Sequence, residues 1–145
     1  MRKIATTLLI LLLSITANAH GDDKHEAAPA STEHEAYFTS EVVSDKYEVL
    51  LKYEFLDAGE ASTMRLFLSE FKTNKAVSGA TLKVTVNDHP EITVNISAVD
   101  SGIYLLKAMF PEKGLYNLTV AVNAKKGADL LLVKDIRTGI HPGEE

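Results

Sequence analysis

An all-β fold, two antiparallel sheets packed face to face, is predicted for residues 41–137 by three observations. Short runs alternate apolar and polar residues with a period of two, the pattern of strands with one buried face. Clusters of Gly, Pro, Asn and Asp break those runs at short intervals. The stretch SGIYLLKAMFPEKGLYNLTVAV, residues 101–122, joins a Gly-x-Tyr strand to a Gly-Leu-Tyr strand through a Pro-x-x-Gly turn, where Tyr116 can hydrogen-bond back across the corner. About seven strands spaced in this way describe an immunoglobulin-like β-sandwich; a jelly roll or a small barrel shares the first two cues.

The first two strands are expected over Lys46–Tyr53 and over Ser62–Ser69, the latter with Met64, Leu66 and Leu68 inward. The cleanest alternation is Ala80–Asp88, where Leu82, Val84 and Val86 share one face and Thr81, Lys83, Thr85 and Asn87 the other. Glu91–Ser97 repeats it with Ile92, Val94 and Ile96 inward, and the turn residues Asn87-Asp88-His89-Pro90 predict that these two strands form a hairpin. Gly102–Phe110, Leu115–Asn123 and Ala128–Val133 complete the set, separated by Pro111-Glu112-Lys113-Gly114 and Lys125-Lys126-Gly127. Met64 and Met109 fall among core-like neighbours and are expected to be packing residues, not a copper(I) site. Leu50 and Phe67 face outward against the polar pattern. A covering loop or a slip in sheet register is the expected explanation, and a docking surface is the alternative.

What precedes the sandwich has a different character. Met1-Arg2-Lys3, an apolar run from Ile4 to Ile15, and Ala17-Asn18-Ala19 match a secretory signal of bacterial type, cleaved after Ala19. The run is shorter than the about 20 apolar residues of a spanning helix, so residues 1–19 are expected to leave a periplasmic protein with no membrane insertion. Losing Arg2 and Lys3 reduces the 15 basic residues to 13 against 20 acidic ones, a balance of −7 with histidines neutral. That average disfavours nucleic acid and anionic membranes as partners. The chain has no cysteine, which excludes disulfides, thiolate metal sites and thiol nucleophiles together.

Residues 20–40 carry too few large apolar side chains to offset the entropy of ordering them, and are expected to be a disordered arm. Within it AHGDDKHEAAPASTEHEA, residues 19–36, concentrates His20, His25 and His34 with Asp22, Asp23, Glu26, Glu33 and Glu35. Imidazole nitrogen suits Cu, Zn and Ni, and the carboxylates attract divalent cations. The candidate metal ligands are His20, His25, His34, Asp22, Asp23 and Glu26. His20 is the strongest of these, because cleavage after Ala19 lets its α-amine and ring nitrogen chelate one ion. His89 or His141 could supply a second imidazole if the fold brings it close; otherwise each is an exposed loop residue. A solubilising leader with no metal role is the alternative for the arm.

Catalysis is not expected. His25-Glu26-Ala27-Ala28-Pro29 starts like a zincin helix but has proline where the second histidine belongs. No Gly-x-Ser-x-Gly elbow, phosphate loop or dinucleotide-binding glycine pattern occurs. Asn95-Ile96-Ser97 and Asn117-Leu118-Thr119 match a glycosylation pattern, but in a bacterial exported protein they are expected to be ordinary strand positions.

The runs YEVLLKYEFLDAGEASTMRLFLSEFKTNKAVSGATLKVTV (47–86), GIYLLKAMFPEKGLYNLTVAV (102–122) and ADLLLVKDI (128–136) resemble the N-terminal β-sandwich domain of periplasmic adaptor subunits that serve heavy-metal efflux pumps of the resistance-nodulation-division class. They are also similar to YtkA-like exported domains. The adaptor resemblance implies association with export of Cu, Zn, Ni or Co and contact with pump or adaptor components. The adaptors continue into a coiled-coil hairpin, a lipoyl-like domain and a barrel, whereas this chain is expected to end in a flexible tail at 138–145, so a standalone relative is expected, not an adaptor. Two functions follow: a metal-binding protein that passes an ion to an efflux complex, or an interaction module that docks on a pump or another envelope protein without metal.

Overall fold

The structure, a computed structural model, describes residues 36–144. Eight antiparallel strands are present among them: β1 (Phe38–Val43), β2 (Tyr47–Tyr53), β3 (Ala61–Glu70), β4 (Thr81–Val86), β5 (Asn95–Asp100), β6 (Ile103–Met109), β7 (Gly114–Ala124) and β8 (Gly127–Thr138). One sheet has the order β1-β2-β3-β6-β5 and the other β4-β7-β8. Without β1 this is the seven-strand arrangement of a constant-type immunoglobulin domain, four strands against three. The tyrosine corner is present: Tyr116, near the start of β7, donates its hydroxyl proton to the Glu112 carbonyl at 2.9 Å and packs its ring 4.8 Å from that of Phe110.

The core follows from the period of two. In β2 every second residue, Tyr47, Val49, Leu51 and Tyr53, is buried, and in β3 Met64, Leu66 and Leu68 face them from the neighbouring strand. Val120, Val122, Leu131 and Val133 of the opposite sheet close the layer. Each fully buried leucine or valine contributes about 1.5–3 kcal/mol relative to exposure. This interlayer packing holds a fold that has no cysteine to staple it.

Four expectations are corrected. The expected hairpin between residues 80–88 and 91–97 does not form: β4 pairs with β7, and β5, which starts only at Asn95, pairs with β6. The link over 87–94 crosses between the sheets. Asp88 takes a left-handed φ of 64° at its start, and Ile92 is buried in the core cluster instead of lying in a ladder. The eighth strand, β1, begins at Phe38, inside the segment read as an arm; Phe38 and Val42 turn partly inward with Ser40 between them. Met109 is about half exposed (51%), because Tyr104, Leu106 and Ala108 hold the inward positions of β6, while Met64 is fully buried. Leu50 and Phe67 are direct cross-strand partners in an unbroken β2–β3 register, with Ile103 beside Phe67 on β6, so they cover one another on the outer face and no register slip is involved.

β8 also runs five residues beyond Val133. A bulge opposite Tyr116–Leu118 leaves Lys134 and Asp135 both outward before Ile136 and Thr138 turn in again, with Asp135 at φ 59° and its N–H donated to Asn117 Oδ1 at 3.1 Å. Thr138 then makes a parallel bridge to Leu56. Among the described residues no helix is long and apolar enough to cross a membrane.

Candidate metal-binding end of the sandwich

Antiparallel pairing fixes which loops share an end. Phe38 pairs with Tyr53, Ala61 with Met109 and Gly114 with Thr138. The start of β1, the β2–β3 loop (54–60), the β4–β5 link (87–94), the β6–β7 turn (110–113) and the segment after β8 (139–144) therefore all lie at one end. These segments carry seven carboxylates, Glu54, Asp57, Glu60, Asp88, Glu91, Glu112 and Glu144, against one cation, Lys113. They also carry both described histidines.

His89 is the better prepared of the two. Its N–H donates to the Val86 carbonyl at 3.3 Å and its carbonyl accepts from Ile92 N–H at 3.1 Å, which fixes the backbone. Its ring lies tilted on Tyr116, 5.1 Å between centroids, with Nδ1 3.0 Å from Glu91 Oε1. The Glu91 carboxyl is held below the usual carboxylate range, first by its own backbone N–H and then by His89. An ionised carboxylate only accepts, so Nδ1 carries the proton and, in the neutral ring, Nε2 keeps the lone pair. Carboxylate to Nδ1–H to free Nε2 is the arrangement that orients histidine ligands in metal sites.

His141 is held by the segment after β8. Its ring stacks flat on Phe55, 4.1 Å between centroids and 5° between planes. Its N–H donates to Glu144 Oε2 at 3.2 Å, and Glu144 N–H returns a bond to the His141 carbonyl at 3.1 Å. Lys113 Nζ reaches the same carboxylate at 3.3 Å. Glu144 is accordingly held below its ordinary range, first by the His141 N–H and then by Lys113. Gly139 N–H donates to the Leu56 carbonyl at 2.7 Å, so residues 139–144, expected as a flexible tail, have several contacts with the sandwich.

A groove of about 450 Å³ opens at this end where the chain enters β1, lined among others by Tyr37, Lys52, Glu54, Asp57, Glu60 and Arg65. Lys52 Nζ sits 4.0 Å from the centroid of the Tyr37 ring. Three carboxylates thus edge the groove directly beside the first described residues.

The six expected ligands, His20, Asp22, Asp23, His25, Glu26 and His34, lie outside the described residues. Among the described residues no three His, Asp or Glu side chains are grouped closely enough to hold a metal by themselves. Sequence reasoning left His89 and His141 as exposed loop residues or, if the fold brought one close, a second imidazole, and missed their supports. The His89-Pro90-Glu91 spacing inside a turn was the available signal for the first; nothing local to His141 pointed to Phe55.

No protein-family model matches this chain, and no curated protein matches it. A solved structure titled "ZirS C-terminal Domain" is similar over 92% of this chain and 86% of that one, at 10% identity and a TM-score of 0.33. That score is too low to carry an argument about fold or function.

Proposed function

We propose that this is a periplasmic, non-enzymatic protein of the heavy-metal efflux type that captures a transition-metal ion, Cu, Zn, Ni or Co, through its histidine arm. The observation that supports this reading is one of topology: the chain enters β1 at the end of the sandwich that bears His89, His141 and seven carboxylates. His20, His25 and His34 supply imidazoles, Asp22, Asp23 and Glu26 supply oxygen donors, and the acidic end raises the local cation concentration around them. His89, with Nδ1 tied to Glu91, is the described residue best prepared as an imidazole ligand at that end. The efflux context and the contact with pump or adaptor components rest on the sequence resemblance to the adaptor N-terminal domain.

Calorimetric titration of residues 20–145 with Cu(II), Zn(II) and Ni(II), beside a variant lacking residues 20–36, tests this. Saturable binding at micromolar or tighter affinity that vanishes with the arm is the expected result. Equal binding in both proteins, or none, removes the arm from the function.

The second reading, a docking module without metal, is favoured by the outer face of the three-stranded sheet. Leu130 is 69% exposed there with Leu132 two residues further along β8, and Leu115, 58% exposed, lies apart from them at the histidine end of β7. Capture of the same envelope partner with and without residues 20–36, lost in Leu115→Asp with Leu130→Asp, would support that module.

A further inference from the structure

The opposite end of the sandwich has the opposite charge, and it carries an inference independent of the metal reading. The β1–β2 turn (44–46), the β3–β4 loop (71–80), the β5–β6 turn (101–102) and the β7–β8 turn (125–126) meet there. They carry Lys46, Lys72, Lys75, Lys125 and Lys126 against Asp45 alone. The acids at the adjoining strand ends are engaged: Asp100, the last residue of β5, accepts from the Ser101 N–H at 2.7 Å. Glu70 Oε2 accepts from the Thr73 hydroxyl at 2.8 Å and lies 4.0 Å from Lys126 Nζ. Asp129 is held ionised below its usual range, first by Ser44 and then by the Leu130 N–H, with Lys46 adding to the effect.

The same end carries an exposed aromatic ring. Phe71 is 49% exposed, at the start of the β3–β4 loop where the chain leaves β3, immediately before Lys72. Its backbone is pinned by donation from Phe71 N–H to the Lys46 carbonyl at 3.0 Å, by Glu70 N–H to Lys75 O at 2.8 Å, and by Asn74 N–H to Glu70 O at 2.8 Å. Asn74 takes a φ of 53° to make that turn. The loop therefore holds Phe71 outward on a fixed support. Beside it is a small cleft of about 190 Å³ lined among others by Lys75, Ser78, Lys125, Lys126, Tyr47 and Glu70. Its lysines and serine hydroxyl are donors suited to a phosphate-bearing headgroup.

We propose that this lysine-bearing end is a peripheral docking surface for an anionic phospholipid bilayer, with Phe71 entering the headgroup region and Lys72, Lys75, Lys125 and Lys126 meeting lipid phosphates. An exposed aromatic on an end that bears five lysines fits a soft interface, where the ring lies among acyl carbons and the ammonium groups remain at headgroup level. The negative overall charge does not oppose this. β7 has 11 residues, so at about 3.3 Å per residue the acidic end lies roughly 35 Å away, several Debye lengths of about 8 Å at physiological salt. Docked in this orientation, the end where the arm enters faces away from the bilayer.

Sedimentation of residues 20–145 with phosphatidylcholine vesicles, with and without phosphatidylglycerol, tests the surface. Binding is expected only with phosphatidylglycerol and should weaken as salt rises. The combined Lys72→Glu, Lys75→Glu and Lys125→Glu variant should lose it by about a hundredfold, since each lysine near an anionic surface is worth about tenfold or less. Phe71→Ser should weaken it several-fold, and Lys113→Glu, at the other end, should leave it unchanged. Binding that is absent, that ignores phosphatidylglycerol, or that survives the triple reversal overturns the proposal. So does tighter binding to soluble polyglutamate than to vesicles, which assigns the lysines to an acidic protein, or to glycerol phosphate alone, which assigns the cleft to a free phosphate ester.

Discussion

The two ends of the sandwich are built by different means from the same alternating strands. At the lysine end three of the four connections are turns of two or three residues, and the backbone itself makes the fit: Gly102, at φ 67°, donates nothing but space, and its carbonyl accepts from Leu68 N–H at 2.8 Å. At the histidine end the connections are longer and rely on rings, with Phe55 against His141, His89 against Tyr116 and Tyr116 against Phe110. Turns of that kind tolerate few changes, whereas ring-supported loops can exchange side chains and still be held. The difference teaches that a moderate net charge can be the sum of two strongly opposed ends, which composition alone conceals.

The largest effect should come from breaking the tight end. A Cβ on Gly102 would sit 2.6 Å from the Leu68 carbonyl oxygen and 2.9 Å from Ala76 Cβ, at a φ that side chains rarely adopt. Gly102→Ala should destabilise by about 3 kcal/mol, adding the left-handed penalty to overpacking, which urea unfolding would measure. Gly59, at φ 81° with open space around it at the other end, should cost only about 1 kcal/mol as Gly59→Ala. Equal losses at the two glycines would dissolve the contrast.

Next in size is Tyr116→Phe, which removes the hydroxyl bond to Glu112 while keeping the ring contacts. A loss of about 1–2 kcal/mol is expected by the same unfolding measurement, and a loss below the error of the method would leave the rings as the whole support of that corner. His141→Ala should be smaller, about 0.5–1 kcal/mol for one exposed stack, and should show mainly as faster amide exchange over residues 139–144.

The smallest effect is a pH dependence. Glu144 has a lowered folded value, so its contribution is fully present above the ordinary carboxylate pKa of 4.5 and is lost as pH falls through the lowered value. The carboxyl-carbon shift of Glu144 should therefore move only below about pH 4.5, and Lys113→Met should raise the midpoint. A midpoint unmoved by that substitution would leave the His141 N–H as the sole support of the ionised form.

Alternation in the sequence reports burial, and it does not report partnership. Val84, Val86 and Ile92 were legible as inward residues, yet the hairpin drawn from their spacing was wrong because strands on opposite sheets face the same core. Ser40 obscured β1, since a small polar residue at an inward position interrupts the apolar period between Phe38 and Val42. The bulge at Asp135 resets the phase of β8, which is why its last five residues did not read as strand. Tyr116 was legible because a tyrosine corner is a local motif that closes within four residues. The stack of His141 on Phe55 joins residues far apart in the chain, and no local pattern announces it. The charge division of the two ends was present in the sequence all along, but it needs the strand directions before the loops can be sorted.

The most direct test of the account is nitrogen-15 correlation spectroscopy of residues 20–145 during titration with Zn(II). Shifts over the arm, strongest at His20, His25 and His34, with the lysine end still, are the predicted result. An arm that does not shift, or shifts spread equally over the whole chain, would contradict the claim that the histidine arm captures the ion.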